Sequence, residues 1–320
     1  MKLVHFCMVA IFLISCSPQK KADETTANHK ENNKVNIPGK KETRKTADKQ
    51  IHLFLRDCAK GKKTNNEIAI NKANDQLPKV GSYKRTYKAH KQYVWAEFCK
   101  FQHRPQLNSQ IAFTDASYKF YRKLLLIGDL FNTGQTFALV GYSTSDSIVK
   151  IHVLKKVKNE FKPFFETSTK NPHTLGAPHH HIIDFIDYNG DKIKDLKVMT
   201  DLRMMHTTER SQLWIYQDSR LLLIPEYKNI SNGQYNPVDR KIYSYVSIGC
   251  GDLHMLFKVY QWNQNKLSLE KNIRCDCCTK TTCDIYINGQ EKPVKATMDT
   301  AHNFIPKFWW ASLKPKLHNY

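Results

Sequence analysis

Local signatures of several well-known enzyme classes are missing from this 320-residue sequence. It has no Gly-x-Ser-x-Gly elbow, no His-Glu-x-x-His motif, no P-loop and no glycine-rich dinucleotide turn. Glycosidases use carboxylates without a local signature, so this absence does not exclude them. A catalytic role would have to rest on scattered residues, such as the histidines near Asp184 and Asp187. The sequence therefore favours a binding function over catalysis.

Apolar runs of the roughly 20 residues that a membrane-spanning helix needs are also missing. The apolar segment 3–14 follows Lys2 and is typical of a secretion signal. It ends in Leu13-Ile14-Ser15-Cys16, which resembles the lipobox of bacterial lipoproteins. The resemblance implies that residues 1–16 are a signal peptide and that Cys16 is diacylated, and Ser17 after it favours the outer membrane. The alternative is an ordinary secretory signal with an incidental cysteine.

Aromatic side chains are absent from residues 17–50, which are rich in Lys, Asn, Thr, Glu and Gln. Such a segment cannot bury enough apolar surface to offset the entropy of ordering itself. We expect a disordered tether that spans on the order of 30 Å. Residues 51–320 remain to form the folded domain.

Helical periodicity is weak in this domain, where no i, i+3, i+4, i+7 pattern persists beyond about three turns. Short alternating runs between turn residues predict an all-β, mainly antiparallel fold, as a sandwich, barrel or propeller. Helix is expected only at 65–75 and 304–313. The predicted strands are 93–98, 137–142, 148–157, 161–166, 182–186, 196–200, 212–216, 221–225, 241–248, 255–262, 267–272 and 283–287.

The segment from Asp187 to Leu196 has oxygen-bearing side chains at the spacing of a cation-binding loop. Asp187, Asn189, Asp191 and Asp195 occupy positions 1, 3, 5 and 9, and the carbonyl of Ile193 is available at position 7. Three carboxylates so close together repel one another without a cation, and the pattern predicts a structural Ca²⁺. Position 6, usually glycine, is Lys192, and position 12 is Val198 instead of the Glu of an EF-hand. The alternative is an Asx-rich turn with solvated carboxylates.

A second loop repeats this pattern 58 residues earlier, beginning at Asp129 and leading directly into an apolar strand. Positions 3 and 9 are Phe131 and Phe137, so packing is expected to replace metal in this copy. A period near 60 residues with several strands per unit is typical of a blade-like repeat, although two similar hairpin loops are the alternative.

These loops resemble the FG-GAP and VCBS-type calcium loops of β-propellers, whose consensus is Asp-x-Asn-x-Asp-Gly-x-x-Asp-Leu. Three segments that follow these loops make the resemblance more specific. They are Gln212-Leu-Trp-Ile-Tyr, Tyr235-Asn-Pro-Val-Asp-Arg-Lys and Leu256-Phe-Lys-Val-Tyr-Gln-Trp-Asn. They are similar to small secreted propeller-like bacterial proteins, some of which are immunity proteins against peptidoglycan-degrading effectors. The resemblance covers roughly residues 124–272. It implies a repeat-like core at about 120–272. Residues 51–120 and the Cys-rich segment at 273–320 lie outside the resemblance.

Cysteines of a secreted domain are expected to pair. Without Cys7 in the signal and Cys16 under lipid, seven remain, so one stays free or joins another chain. We expect Cys58 to pair with Cys99, and Cys250 to pair within the C-terminal cluster Cys275, Cys277, Cys278 and Cys283. Zinc held by the thiolates of this cluster is the alternative.

Histidines offer a possible second metal site. On a strand, His179 and His181 would share one face and could chelate together. A polar loop after Pro178 is the other interpretation, which we favour because the sequence suggests no third ligand.

Acidic residues are scarce relative to basic ones, with 29 Asp and Glu against 50 Lys and Arg and a formal net charge of +21. A surface this basic attracts polyanions, which in the envelope are lipid headgroups, lipopolysaccharide phosphates, teichoic acids or an acidic protein. Nucleic acid is disfavoured by location. The sequence thus predicts a lipid-anchored envelope binding protein with a calcium loop. An inhibitor of a peptidoglycan hydrolase and a metal-dependent envelope hydrolase are the alternatives.

Overall fold

The computed structural model describes residues 55, 86–114, 118–171, 182–203, 208–250, 253–278 and 282–309. All of them belong to the second of the two units into which the chain divides, Lys45–Tyr320. Cys16, Cys58, His173, His179, His181 and the helix predicted at 65–75 lie outside the described residues. In the described part, no helix is long and apolar enough to cross a membrane.

Three antiparallel sheets, each a meander of consecutive strands, account for most of the described residues. Sheet 1 contains β1 (Leu107–Thr114), β2 (Phe120–Gly128), β3 (Phe137–Ser143), β4 (Ile148–Val157) and β5 (Glu160–Lys170). Sheet 2 contains β6 (Ile183–Ile186), β7 (Asp195–Arg203), β8 (Thr208–Gln217) and β9 (Arg220–Ile224). Sheet 3 contains β10 (Gln234–Asn236), β11 (Lys241–Gly249), β12 (His254–Asn263), β13 (Lys266–Asp276), β14 (Thr282–Ile287) and β15 (Val294–Thr297).

The sheets stack face to face, and each interface is a separate hydrophobic core. Leu139 and Val153 of sheet 1 meet Val198 and Trp214 of sheet 2 in the first of these cores. The opposite face of sheet 2 packs against Ile242 and Leu267 of sheet 3. Strand β3 is buried along its whole length because its alternate side chains pack against hydrophobic cores on both faces of sheet 1.

Helix α1 (Tyr87–Phe101) covers the outer face of sheet 1. Thr86 begins it as an N-cap whose hydroxyl accepts a hydrogen bond from the Ala89 amide at 3.2 Å. The buried residues of α1 recur at helical spacing: His90, Val94, Trp95 and Phe98. At the far end of the stack, helix α2 (Met298–Ala301) and 3-10 turns at His302–Phe304 and Lys307–Trp309 cover sheet 3.

The predicted all-β, mainly antiparallel class is confirmed in its coarse form, with three open sheets among the described residues. The prediction of a strand at 93–98 is wrong, because this aromatic segment is the centre of α1. Helix is therefore not limited to 65–75 and 304–313, and the described part of the latter holds 3-10 turns. Strands β1, β2, β10 and β15 were absent from the prediction.

Candidate functional site

The loop from Asp187 to Asp195 joins β6 to β7 and is closed by its own side chains. Asp187 Oδ1 accepts hydrogen bonds from the amides of Asn189 and Gly190, at 3.2 and 2.6 Å, and its Oδ2 accepts one from the Lys192 amide at 2.9 Å. Asp191 accepts from the Ile193 amide at 2.8 Å and from the Asn189 side-chain amide at 2.9 Å. The Asp187 and Asp191 side chains thus fix the backbone two to five residues further on.

Two residues of this loop adopt left-handed backbone conformations. Gly190 has φ +83° and Lys192 has φ +72°. The calcium-loop consensus places glycine where Lys192 stands, so the chain accepts a conformation that a lysine adopts at a cost. A Cβ on Gly190 would lie 2.6 Å from the Tyr235 hydroxyl and 3.3 Å from Arg240 Cδ. Glycine is therefore required here by both the dihedral angle and the close approach of sheet 3.

Asp195 is fully buried and connects the loop to a neighbouring strand. Its Oδ2 accepts a hydrogen bond from the Tyr188 amide at 2.8 Å, and its Oδ1 accepts one from the Tyr216 amide of β8 at 3.0 Å. Burial raises the pKa of the Asp195 carboxyl to about 7; the negative charges of Asp191 and Asp187 add to this rise, and the two amides oppose it. A cation beside these groups would favour the ionised form.

Contacts from all three sheets meet at this loop. From the turn after β2, the Phe131 carbonyl accepts a hydrogen bond from the Lys194 amide at 2.9 Å. The Asn132 side-chain amide of the same turn donates to the Lys192 carbonyl at 3.1 Å. From sheet 3, Trp262 Nε1 donates to the Tyr188 carbonyl at 2.6 Å. The loop is therefore a junction between the sheets.

The loop that begins at Asp129 lies beside this junction and contains no second carboxylate. Asp129 accepts hydrogen bonds from the amides of Thr133 and Gly134 at 2.8 and 2.7 Å. Phe131 and Phe137 occupy positions 3 and 9, are fully buried, and pack edge to face with ring centroids 4.8 Å apart. Aromatic packing stands here where the Asp187 loop has oxygen ligands.

The donor set of the Asp187 loop fits calcium in its chemistry. All its candidate ligands are oxygens, which Ca²⁺ prefers. In the described structure no Lys or Arg forms an ion pair with Asp187, Asp191 or Asp195. The carboxylates are held by backbone amides, as the Asx-rich alternative expects. Asp187 Oδ1 already accepts two amides, whereas the other carboxylate oxygens of Asp187, Asp191 and Asp195 each accept one described hydrogen bond and keep a lone pair for a further partner.

A different group of possible metal ligands lies together at one end of sheet 3: His254, Asp276 and, just after β13, Cys278. Cys278 forms a disulfide with Cys250, so it has no thiolate to offer. A second disulfide joins Cys277 to Cys283, and Cys275 is free and buried. The zinc alternative for this cluster is therefore wrong, and the expectation that Cys250 pairs within the cluster is confirmed. Cys99 is disulfide-bonded as well.

A polar chain that starts at the buried Tyr142 and His152 and reaches the exposed Glu166, unnoticed in the sequence, lies between α1 and sheet 1. Glu166 Oε2 is 3.1 Å from His152 Nδ1, and His152 Nε2 is 3.1 Å from the Tyr142 hydroxyl. A carboxylate can only accept, so Nδ1 carries the proton and neutral His152 accepts from Tyr142 through Nε2. Lys150 completes the chain at 2.6 Å from Glu166 Oε1, and the Trp95 ring lies 5.5 Å from that of His152.

This chain predicts a loss of stability in acid. Burial lowers the pKa of His152, so the unfolded state binds more protons and the free energy of unfolding falls as pH drops below about 6.5. The His152 hydrogen bond and Lys150 lower the pKa of Glu166 to about 2, so its stabilising effect is lost as pH falls from 4.5 towards 2. Solvent screening limits the Glu166 contribution to about 1 kcal/mol.

Urea unfolding at pH 7.5, 5.5, 4.5 and 3.0 measures this dependence. Glu166→Gln should remove the part of the loss that occurs below pH 4.5. Glu160→Gln is the matched control, since Glu160 is exposed in the same hairpin. Equal pH profiles for the wild type and Glu166→Gln would contradict the assignment.

A cleft of about 450 Å³ lies between the edge strands β1 and β6. Asn108 and Gln110 of β1 line one wall, and Ile183 and Phe185 of β6 line the other. The side chain of Lys194, next to Asp195, also borders the cleft. Sequence reasoning missed these residues because they have no local signature and converge only through the stacking of sheets 1 and 2.

Comparisons with known proteins leave the family open. No protein-family model matches the chain, and no curated protein matches it. Among solved structures, the chain is similar to one described as a Xanthomonas Type IV secretion system related protein, with 15% identity and a TM-score of 0.39. That match covers 59% of this chain and 97% of the other.

Proposed function

We propose that this chain is a lipid-anchored binding protein of the cell envelope, with a structural Ca²⁺ in the Asp187 loop. The observation that carries the proposal is the position of this loop, which is hydrogen-bonded to strands of sheets 2 and 3 and to the β2–β3 turn of sheet 1. A cation at such a junction would stabilise the stacked sheets as one rigid scaffold. Rigid scaffolds that present fixed surfaces suit recognition of a partner.

The side chains of Asp187, Asn189, Asp191 and Asp195 and the carbonyl of Ile193 would hold the ion. Calcium would supply positive charge to three carboxylates that lack a described ion pair. Each sheet is a short antiparallel meander stacked on the next, as blades are in a propeller. This arrangement supports the propeller-like architecture implied by the resemblance to FG-GAP loops.

Acyl chains on Cys16 and the 17–50 tether would place the domain on the order of 30 Å from the bilayer. The same resemblance favours a peptidoglycan hydrolase as the bound protein. Removing Lys2 and the nine basic and five acidic residues of 17–50 from the formal +21 leaves +16 on residues 51–320. The hydrolase should therefore present an acidic surface, because a basic one would be repelled.

A pull-down with the full chain in detergent micelles tests this function. The chain is immobilised and exposed to envelope extract in calcium and in EDTA, and the retained proteins are identified by mass spectrometry. We expect a peptidoglycan hydrolase to be retained in calcium and its lytic activity to be inhibited by added chain. Asp187→Asn with Asp191→Asn should reduce retention to the EDTA level, whereas Asp218→Asn, in the β8–β9 turn, should not. Retention of no protein in either buffer would reject the proposal.

A further inference from the structure

Strand β1 is the outer strand of sheet 1 and pairs in the described structure with β2 alone. Its register with β2 runs unbroken over eight residue pairs, from Leu107 to Thr114. The opposite edge of β1 therefore presents backbone N–H and C=O groups that no described strand uses. Ile111, in the middle of the strand, is 47% exposed.

The sequence of β1 has none of the devices that protect an edge strand. Leu-Asn-Ser-Gln-Ile-Ala-Phe-Thr contains no charge, no proline and no glycine, in a chain where a quarter of the residues are charged. Natural proteins usually prevent edge strands from pairing with another chain by means of lysine, proline or bulges in the strand, or by keeping the strand very short. An edge that is long, regular and uncharged in so basic a protein is suited to pairing with another strand.

The other sheet edges in the described part are protected. Strand β5 contains Pro163 and a bulge, and it meets β7 through the ion pair of Lys170 with Asp201 at 3.2 Å. Strand β6 has four residues, and its Asp184 pairs with Lys197 at 2.9 Å. The remaining edge strands, β9, β10 and β15, have five, three and four residues. Among the edge strands of the described part, only β1 lacks these protective features.

We infer that β1 is a docking edge to which a partner protein adds an extended acidic segment as an antiparallel or parallel strand. Main-chain hydrogen bonds would provide affinity, and pockets for alternate side chains would provide specificity. This inference rests on the proposed binding function and names the surface through which that binding occurs.

The cleft beside β1 supplies such pockets. Asn108 and Gln110 present carboxamides from one face of the strand, and Ile183 and Phe185 form an apolar wall opposite. Every second side chain of an added strand points to the same face, so one series of its side chains would enter this cleft.

Charge determines the character of the added strand. Residues 51–320 carry a formal +16, and the exposed Lys194 beside the cleft has no described ion pair. Asp129, the carboxylate in the cleft wall, is engaged by two backbone amides. A second copy of this basic chain would be repelled, whereas an acidic segment would be attracted.

Peptide binding to the full chain in detergent micelles tests the docking edge. The probe is a fluorescein-labelled decapeptide of alternating Glu and Val, which favours an extended strand. The comparison peptides are alternating Lys and Val, alternating Glu and Pro, and the chain's own residues 17–50. Fluorescence anisotropy gives the dissociation constants, and hydrogen exchange identifies the amides that become protected. We expect the Glu-Val peptide to bind at least about tenfold more tightly than the others and to protect amides within β1.

Ile111→Glu should weaken binding of the Glu-Val peptide by about tenfold or more, because it places a like charge on the edge. Leu269→Glu is the matched control: Leu269 is 52% exposed on a strand of sheet 3, and its substitution should change binding by less than about twofold. Equal losses in the two variants, protection elsewhere than β1, or tighter binding of the 17–50 peptide would overturn the inference.

Sedimentation of the chain without peptide tests whether β1 pairs with a second copy of the chain. A dimer that Ile111→Glu dissociates would overturn the acidic-partner assignment in favour of a second copy. The pull-down distinguishes a wrong assignment of the β1 edge from a wrong proposed function. If Ile111→Glu retains the envelope partner as well as the wild type does, the binding function stands and the β1 edge is rejected.

Discussion

Replacing Asp195 with alanine is expected to lower the free energy of unfolding by about 3–5 kcal/mol. The substitution leaves the amides of Tyr188 and Tyr216 buried without their acceptor, and each unpaired buried donor costs about 1–3 kcal/mol. Urea denaturation followed by tryptophan fluorescence measures the loss. Asp187→Ala should cost less, because Asp187 is partly exposed and water can replace its carboxylate.

The change in stability that calcium causes is the second measurement to make on this substitution. In the wild type, calcium at 100 times its dissociation constant should raise the free energy of unfolding by about 2.7 kcal/mol. Asp195→Ala should lose most of that gain, and Asp195→Asn, which keeps one oxygen acceptor, should fall between the two. A full calcium response in Asp195→Ala would show that Asp195 is not a ligand.

The parts of the fold that follow from local pattern were predictable. Strand β4 was predicted with its observed bounds because its apolar residues fall between clear turns. Strand β2 was missed because Arg122 and Lys123 interrupt its pattern. Both are buried, and Lys123 pairs with Glu97, a contact that only the tertiary structure supplies. Helix α1 was misread because His90, a polar residue type, occupies one position of its buried face and conceals the helical spacing.

The candidate site, like the fold, has features that follow from the local sequence and features that depend on tertiary contacts. The spacing from Asp187 to Asp195 identified the loop, since its hydrogen bonds mostly join residues within five positions of each other. Its connections to the sheets involve Tyr216, Trp262 and Asn132, which lie 21, 74 and 60 residues from their partners. No single-sequence pattern encodes such pairs. The uncharged composition of β1 was visible in the sequence, but its meaning depends on the strand lying at an edge.

Phe131→Ala should lower the free energy of unfolding by about 3–5 kcal/mol, as large cavities in aromatic cores do. The ring is fully buried and contacts Phe137 at 4.8 Å, Tyr216 at 4.8 Å and Phe185 at 5.2 Å between centroids. Tyr216 is also the residue whose amide donates to Asp195, and the Phe131 carbonyl holds Lys194. We therefore expect the substitution to weaken calcium binding in the Asp187 loop as well as the fold.

Phe257→Ala is the matched control for this coupling. Phe257 is also fully buried, but its core lies in sheet 3, against the C-terminal turns. Both alanine variants should lose similar stability in urea, and Phe131→Leu should lose less because it fills most of the cavity. Isothermal titration calorimetry should detect weaker calcium binding only in Phe131→Ala. Equal calcium affinity in the two alanine variants would mean that the aromatic core stabilises the fold without positioning the loop.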